Sequence, residues 1–184
     1  MQAERGTRYS GVAMLLHWVI AILVIMNWQI AERAEGLDGP LRGEVMGYHK
    51  AWGITILVLT LARLAWRLSH KPPALASTLK AWERALARTT HTIFYVLLIG
   101  LPLGGWLANS LAGRPLSYFG LFNIPGFPVG ENKELAGAIF DAHAAGGTFL
   151  LLLIVLHVAG ALKHTFFDKD GNLWRMLPFG TPKA

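Results

Sequence analysis

Four stretches of this chain lack the polar punctuation of a soluble helix. They run over residues 12–31, 49–68, 91–111 and 142–162. Each holds about 20 mostly apolar residues, roughly 30 Å as α-helix, which is the thickness of bilayer hydrocarbon. Strict apolar–polar alternation is absent from segments such as IAILVIMNW (20–28) and LLLLIV (150–155), which argues against strands of a transmembrane barrel. The pattern predicts an all-α fold, an integral membrane four-helix bundle, with residues 1–184 forming one domain. A buried helix of a large soluble protein can be as apolar, but four of them in 184 residues leave little polar surface to cover them. The first stretch is longer than a signal-peptide core and is expected to stay as a span. Pro102 falls inside the third and is expected to kink it, while Gly100, Gly104 and Gly105 around it permit close helix contact.

Composition strengthens this reading. The chain is 53% hydrophobic and 15% charged, with mean hydropathy +0.41. Soluble domains carry about 25% charged residues, and disordered chains are less apolar still. The absence of cysteine excludes a disulfide framework, a thiolate metal site and cysteine-held iron–sulfur clusters. The net charge of +6 and pI near 9.9 suggest nucleic acid until the basic residues are placed. Twelve of the seventeen flank the N-terminus, the second connection and the C-terminus; five (Arg33, Arg42, Lys50, Arg114 and Lys133) flank the other side. The positive-inside rule then puts both termini in the cytoplasm and leaves no basic domain for nucleic acid. The long connection at 113–141, rich in Pro and Gly, is expected to form a structured external cap. A short surface helix is expected over 132–141, starting near Glu131 or Asn132.

Ionisable side chains inside spans are costly and usually functional. His17 lies shallow from the cytoplasmic side of the first span. His49 and His143 lie at the outer ends of the second and fourth. His157 is 14 residues beyond His143, about 21 Å deeper by helical rise, at the depth of His17. Fourteen residues also make four turns less about 40°, so both point in similar directions. The histidines therefore fall into two pairs matched in depth, His17 with His157 and His49 with His143. Facing pairs across a bundle core suit bis-histidine haem, with two haems forming an electron path between the membrane faces. Zinc takes three or four clustered ligands, and no Asp, Glu or Cys completes either pair. A proton relay or structural histidines can explain any single position but leave the matched depths without a cause. His164, seven residues after His157, is a second choice of ligand. His91 begins the third span on the cytoplasmic flank, and His70 reads as a solvated loop residue.

At this point the chain resembles the prokaryotic cytochrome b561 family. The matching blocks are YSGVAMLLHW (9–18), HKAWGITILVLTLARLAWR (49–67), LPLGGWLANSLAG (101–113) and LHVAGALKHTFFDKDGNLWRML (156–177). The resemblance implies a multi-pass protein of the bacterial inner membrane with two haem b groups, ligated by His17 with His157 on the cytoplasmic side and His49 with His143 on the periplasmic side. It also implies a superoxide oxidase, oxidising external superoxide and reducing membrane ubiquinone. The alternative within the family is a haem relay subunit that serves a dehydrogenase or hydrogenase through a protein redox partner. For superoxide, Lys50 and Lys133 are the candidate cations at the outer surface. Arg63, Arg67, Lys163, His164 and His91 are candidates for a haem-propionate or quinone neighbourhood. The bland reading of the two arginines is propionate pairing and interfacial snorkelling. The tryptophans read as packing or belt residues.

Overall fold

The computed structural model describes residues 8–74, 79–169 and 171–180. Arg5, Lys183, Glu4 and Asp170, four of the charges weighed for orientation, lie outside them. Four long helices dominate: α1 Gly11–Glu35, α2 Gly39–Ser69, α3 Ala81–Leu111 and α4 Lys133–Phe166. All four are long and apolar enough to cross a membrane. Each contains its predicted apolar stretch and runs past it into polar residues, because a helix need not stop where the hydrocarbon does.

Local chemistry sets the ends. The Ser10 hydroxyl accepts from the Ala13 amide and starts α1. Asn132 caps α4 by accepting from the Leu135 amide at 3.0 Å. Glu83 reaches back to the Lys80 amide at 2.9 Å at the start of α3. Such caps satisfy amides that a first helical turn leaves unpaired. Only residues 36–38 join α1 to α2, so the two are antiparallel neighbours. Packing then follows chain order, α1 on α2, α2 on α3 and α3 on α4.

The expected surface helix over 132–141 is not a separate element. Its residues are the first turns of α4, which continues unbroken from the Asn132 cap to Phe166. The rest of the cap contains a two-stranded antiparallel hairpin, β1 Leu116–Tyr118 and β2 Phe122–Ile124, with Tyr118 opposite Phe122. Asn109 donates to the carbonyls of Arg114 and Pro115, Trp106 Nε1 donates to that of Pro125, and the Ser110 hydroxyl accepts from the Phe127 amide. These bonds fasten the cap to the end of α3. Gly113 makes the turn possible: its φ is +64°, and a Cβ there would meet the Glu131 carboxylate at 2.6 Å.

The opposite end gathers the described start and finish of the chain. The Tyr9 amide donates to the Arg175 carbonyl, and Trp18 Nε1 donates to that of Met176 in a 3-10 turn, Asn172–Met176. We call the two ends of the bundle the hairpin end and the terminal end. Between them Ile20, Val24, Ile56 and Leu150 form the core, with Phe94 and Leu101 packed on it. Leu15, Val96 and Val155 are about two-thirds exposed on the outer faces. Apolar residues pointing outward along whole helices suit lipid rather than water.

Candidate functional site

The described histidines of the spans converge on two levels. At the hairpin end the rings of His49 and His143 lie edge to face, with centroids 6.0 Å apart and planes at 85°. At the terminal end His17 and His157 have centroids 6.3 Å apart and planes at 74°. The two depth-matched pairs read from the sequence are therefore neighbours in space. α4 contributes one ring to each pair, α1 and α2 the other two.

The hairpin-end rings are held by backbone. His49 Nδ1 lies 3.1 Å from the Asn27 carbonyl of α1, and His143 Nδ1 lies 2.9 Å from the Leu101 carbonyl of α3. A carbonyl only accepts, so each Nδ1 donates and each Nε2 carries the free lone pair. That is the state a metal-binding imidazole needs, with its second nitrogen anchored. α3 makes room for this. A Cβ at Gly105 would stand 3.2 Å from His143 Cε1, so the ring lies against bare backbone there. Gly146 works in the opposite direction, with Leu101 Cδ2 2.7 Å from where its Cβ would be. Asn27, Leu101 and Gly105 were not singled out as site residues from sequence. Carbonyl anchors carry no side-chain signature; the Gly104–Gly105 pair one turn after Leu101 is the signal that was there.

The geometry suits a shared ion. An imidazole nitrogen sits about 1 Å from its ring centroid, and metal–imidazole bonds are about 2 Å, so a bridged pair has centroids about 6 Å apart. Both pairs have that separation. Each pair would supply two imidazole nitrogens and no carboxylate, a donor set that would suit a haem iron better than a zinc site. Among the described residues, the one group of three His, Asp or Glu side chains with ligand atoms all within 4.8 Å lies elsewhere: Glu83, His164 and Asp168. The ammonium of Lys163 already joins it, 2.9 Å from Glu83 and 2.7 Å from Asp168, and His164 Nδ1 is 2.8 Å from Asp168.

The remaining candidates are placed as follows. His91 lies beside the terminal-end pair, its ring centroid 5.7 Å from that of His157, with Phe94 also against His157. It is thus nearer the pair than its place at the start of a span suggested. Arg63 donates to the Ala13 carbonyl, one turn before His17, and lines a cavity with Arg67. Lys163 and His164 belong to the carboxylate cluster just described. Lys50 donates to the Pro115 carbonyl beneath the hairpin. Lys133 and Arg114 line a shallow pocket of about 340 Å³ at the hairpin end, where Arg114 lies 5.7 Å over the Phe140 ring. The hairpin packs on α2 through aromatic residues: Phe119 lies on Trp52 at 4.9 Å, and the hydroxyls of Tyr118 and Thr55 are 3.1 Å apart.

Comparison with known proteins gives a consistent result. The family model described as prokaryotic cytochrome b561 matches residues 8–179. Cytochrome b561 homolog 2 of Escherichia coli K12 is 31% identical over 177 residues, covering 92% of this chain and 91% of that protein. A protein of Yersinia pestis named probable superoxide oxidase CybB is 29% identical over 173 residues, covering 93% and 96%. Cytochrome b562 of Cereibacter sphaeroides is 27% identical over 183 residues, covering 96% and 98%.

Proposed function

The chain belongs to the prokaryotic cytochrome b561 family, a multi-pass electron-transfer protein of four apolar helices, and we propose that it holds two haem b groups and moves electrons between the membrane faces. His17 with His157 would hold one haem and His49 with His143 the other. The observation that carries this is the pair of neighbouring imidazoles at each end, 6.3 and 6.0 Å between centroids. When bound, haem supplies reversible one-electron chemistry, which none of these side chains offers. The protein's part would be to hold the four rings, with Nδ1 of His49 and His143 anchored on carbonyls so that each Nε2 is left for the iron. The core of Ile20, Val24, Ile56 and Leu150 fills the space between the two levels with apolar side chains.

The reaction we propose is superoxide:ubiquinone oxidoreduction. Two superoxide anions each give up one electron and leave as dioxygen; one ubiquinone takes both electrons and two protons to become ubiquinol. The name of the Yersinia pestis relative supports the donor. The charge distribution supports an arrangement with the hairpin end outside the cytoplasm and both termini inside, in the bacterial inner membrane. Lys50, Arg114 and Lys133 then form the local positive surface that draws in the anion. The neighbourhood of Arg63, Arg67, His91, Lys163 and His164 is where propionates and quinone would be met.

The test is direct. Protein purified in mild detergent is assayed for haem per chain, then mixed rapidly with superoxide, with and without a short-chain ubiquinone. Two haems b per chain, reduced by superoxide and reoxidised by quinone far faster than the uncatalysed reaction, is the expected result. Two haems with sluggish superoxide reduction would move the function to a relay subunit serving a protein partner. Protein made with ample haem that binds none would overturn both readings.

A further inference from the structure

A cavity of about 460 Å³ opens at the terminal end between α1, α2 and α3. Four basic side chains line it, Arg8, Arg63, Arg67 and Lys71, and no carboxylate is among its described lining residues. Its walls carry both aromatic and polar groups. The Trp66 and His70 rings stack at 3.8 Å between centroids and 6° between planes, and Trp66 Nε1 is bonded to the Ser10 hydroxyl. Pro72 and Pro73 close the outer side. Tyr95, also on the wall, has a buried hydroxyl with no hydrogen-bond partner among the described residues. None of the four paired histidines lines this cavity.

Four like charges with no counter-charge among the described lining residues are unfavourably close unless an anion answers them. A haem at the His17 level brings two carboxylates; with both matched, two cations still remain. We propose that this cavity binds a phosphate group at the membrane surface, presented either by the headgroup of an anionic phospholipid or by free phosphate. Arginine forks and a lysine ammonium suit tetrahedral phosphate oxygens, and the orphaned Tyr95 hydroxyl is a donor beside them. Leu68, next to Arg67 in the last turn of α2, is 79% exposed, so the cavity mouth adjoins a surface suited to acyl chains. Basic pockets between helices at this depth are the usual recognition device for such headgroups.

The experiment uses the haem-loaded protein in mild detergent, with binding read by native mass spectrometry and the haem spectrum recorded on the same samples. The probes are phosphatidylglycerol, phosphatidylcholine and inorganic phosphate. Phosphatidylglycerol or phosphate is expected to bind at least tenfold tighter than phosphatidylcholine. Lys71→Gln should weaken that binding about fivefold, and the double variant with Arg8→Gln about 25-fold, at the effect of one basic residue near an anionic headgroup for each. Arg8 also donates to the carbonyls of Pro178 and Gly180, so Lys71→Gln alone is the arm that leaves the C-terminal turn intact. Phosphatidylglycerol bound without competition from phosphate identifies a lipid; equal displacement by phosphate identifies the free ion. Arg88→Gln, an exposed cation at the same end but outside the cavity, should change nothing. Unaltered affinity in both cavity variants, or a loss with Arg88→Gln as large as with Lys71→Gln, overturns the proposal. An unchanged haem spectrum throughout separates either result from any failure of the haem assignment.

Discussion

Gly105→Ala isolates one link between helix packing and haem binding. The added methyl would stand 3.2 Å from Cε1 and 3.3 Å from Nδ1 of His143. Carbon atoms pack comfortably at about 3.5–4.0 Å, so the ring must retreat by about 0.3–0.8 Å. Its anchor, the 2.9 Å bond from Nδ1 to the Leu101 carbonyl, then stretches to or past the limit of a good hydrogen bond. Loss of such an outer partner costs about 10–100-fold in metal affinity, or about 1.4–2.8 kcal/mol. Folding itself should not suffer, because alanine replacing a helical glycine returns about 0.5–1 kcal/mol. The neighbouring Gly104→Ala is the matched control: its methyl would meet Ile139 Cγ2 at an ordinary 3.9 Å. The assay is haem content per chain and the rate of haem loss to an excess of a haem-scavenging protein. Gly105→Ala should release one haem about 10–100 times faster, with the other retained and Gly104→Ala behaving as the parent protein. Equal retention of both haems in the two variants would refute the reasoning.

His17→Ala and His49→Ala should each remove one haem, and a different one, visible as complementary halves of the reduced spectrum; His91→Ala should keep both, and loss of a haem there would make His91 the partner of His157. Inserting one alanine after Leu151 turns the lower half of α4 by about 100° and lengthens it by about 1.5 Å. Haem analysis should then find the His17 level empty and the His49 level filled, whereas the same insertion after Phe166, beyond α4, should keep both. Asn132→Ala removes the cap on the Leu135 amide and should cost about 1 kcal/mol, seen as a melting temperature lower by about 2–4 °C with haem content intact.

The four helices and their facing histidines were legible because both rest on simple periodicities. A span has to be apolar over about 20 residues, and each of the four stretches is that long. The placement of His143 and His157 on one face of α4 follows from 14 residues being close to four turns. What stayed hidden was of another kind. The continuation of α4 back to Lys133 was not visible because residues 133–141 are polar enough to read as a surface segment, although Asn132 announced the start correctly. The hairpin strands are three residues each, too short for alternation to register. The approach of His91 to His157 depends on how α3 packs beside α4, which no spacing within either helix encodes. The role of Gly105 is equally non-local, since it is defined by a ring from another helix.

α4 explains why two sites can be built from so few polar residues. One helix carries a histidine for each level, so the vertical separation of the two pairs is set within a single rigid element rather than by loops. The other helices need then supply only one ring each, His17 from α1 and His49 from α2, while α3 supplies the Leu101 carbonyl and the bare backbone at Gly105. This division of labour places different demands on each helix. A change in the α1–α2 turn would shift His17 and His49 against each other but leave the spacing of His143 and His157 unchanged. A change within α4 alters that distance directly. Electron transfer through a protein interior depends on separation, so the stretch of α4 between His143 and His157 is where the sequence holds the two levels in fixed relation. Gly146, in the early part of it, lets the Leu101 side chain of α3 approach closely without interrupting the helix that sets the spacing.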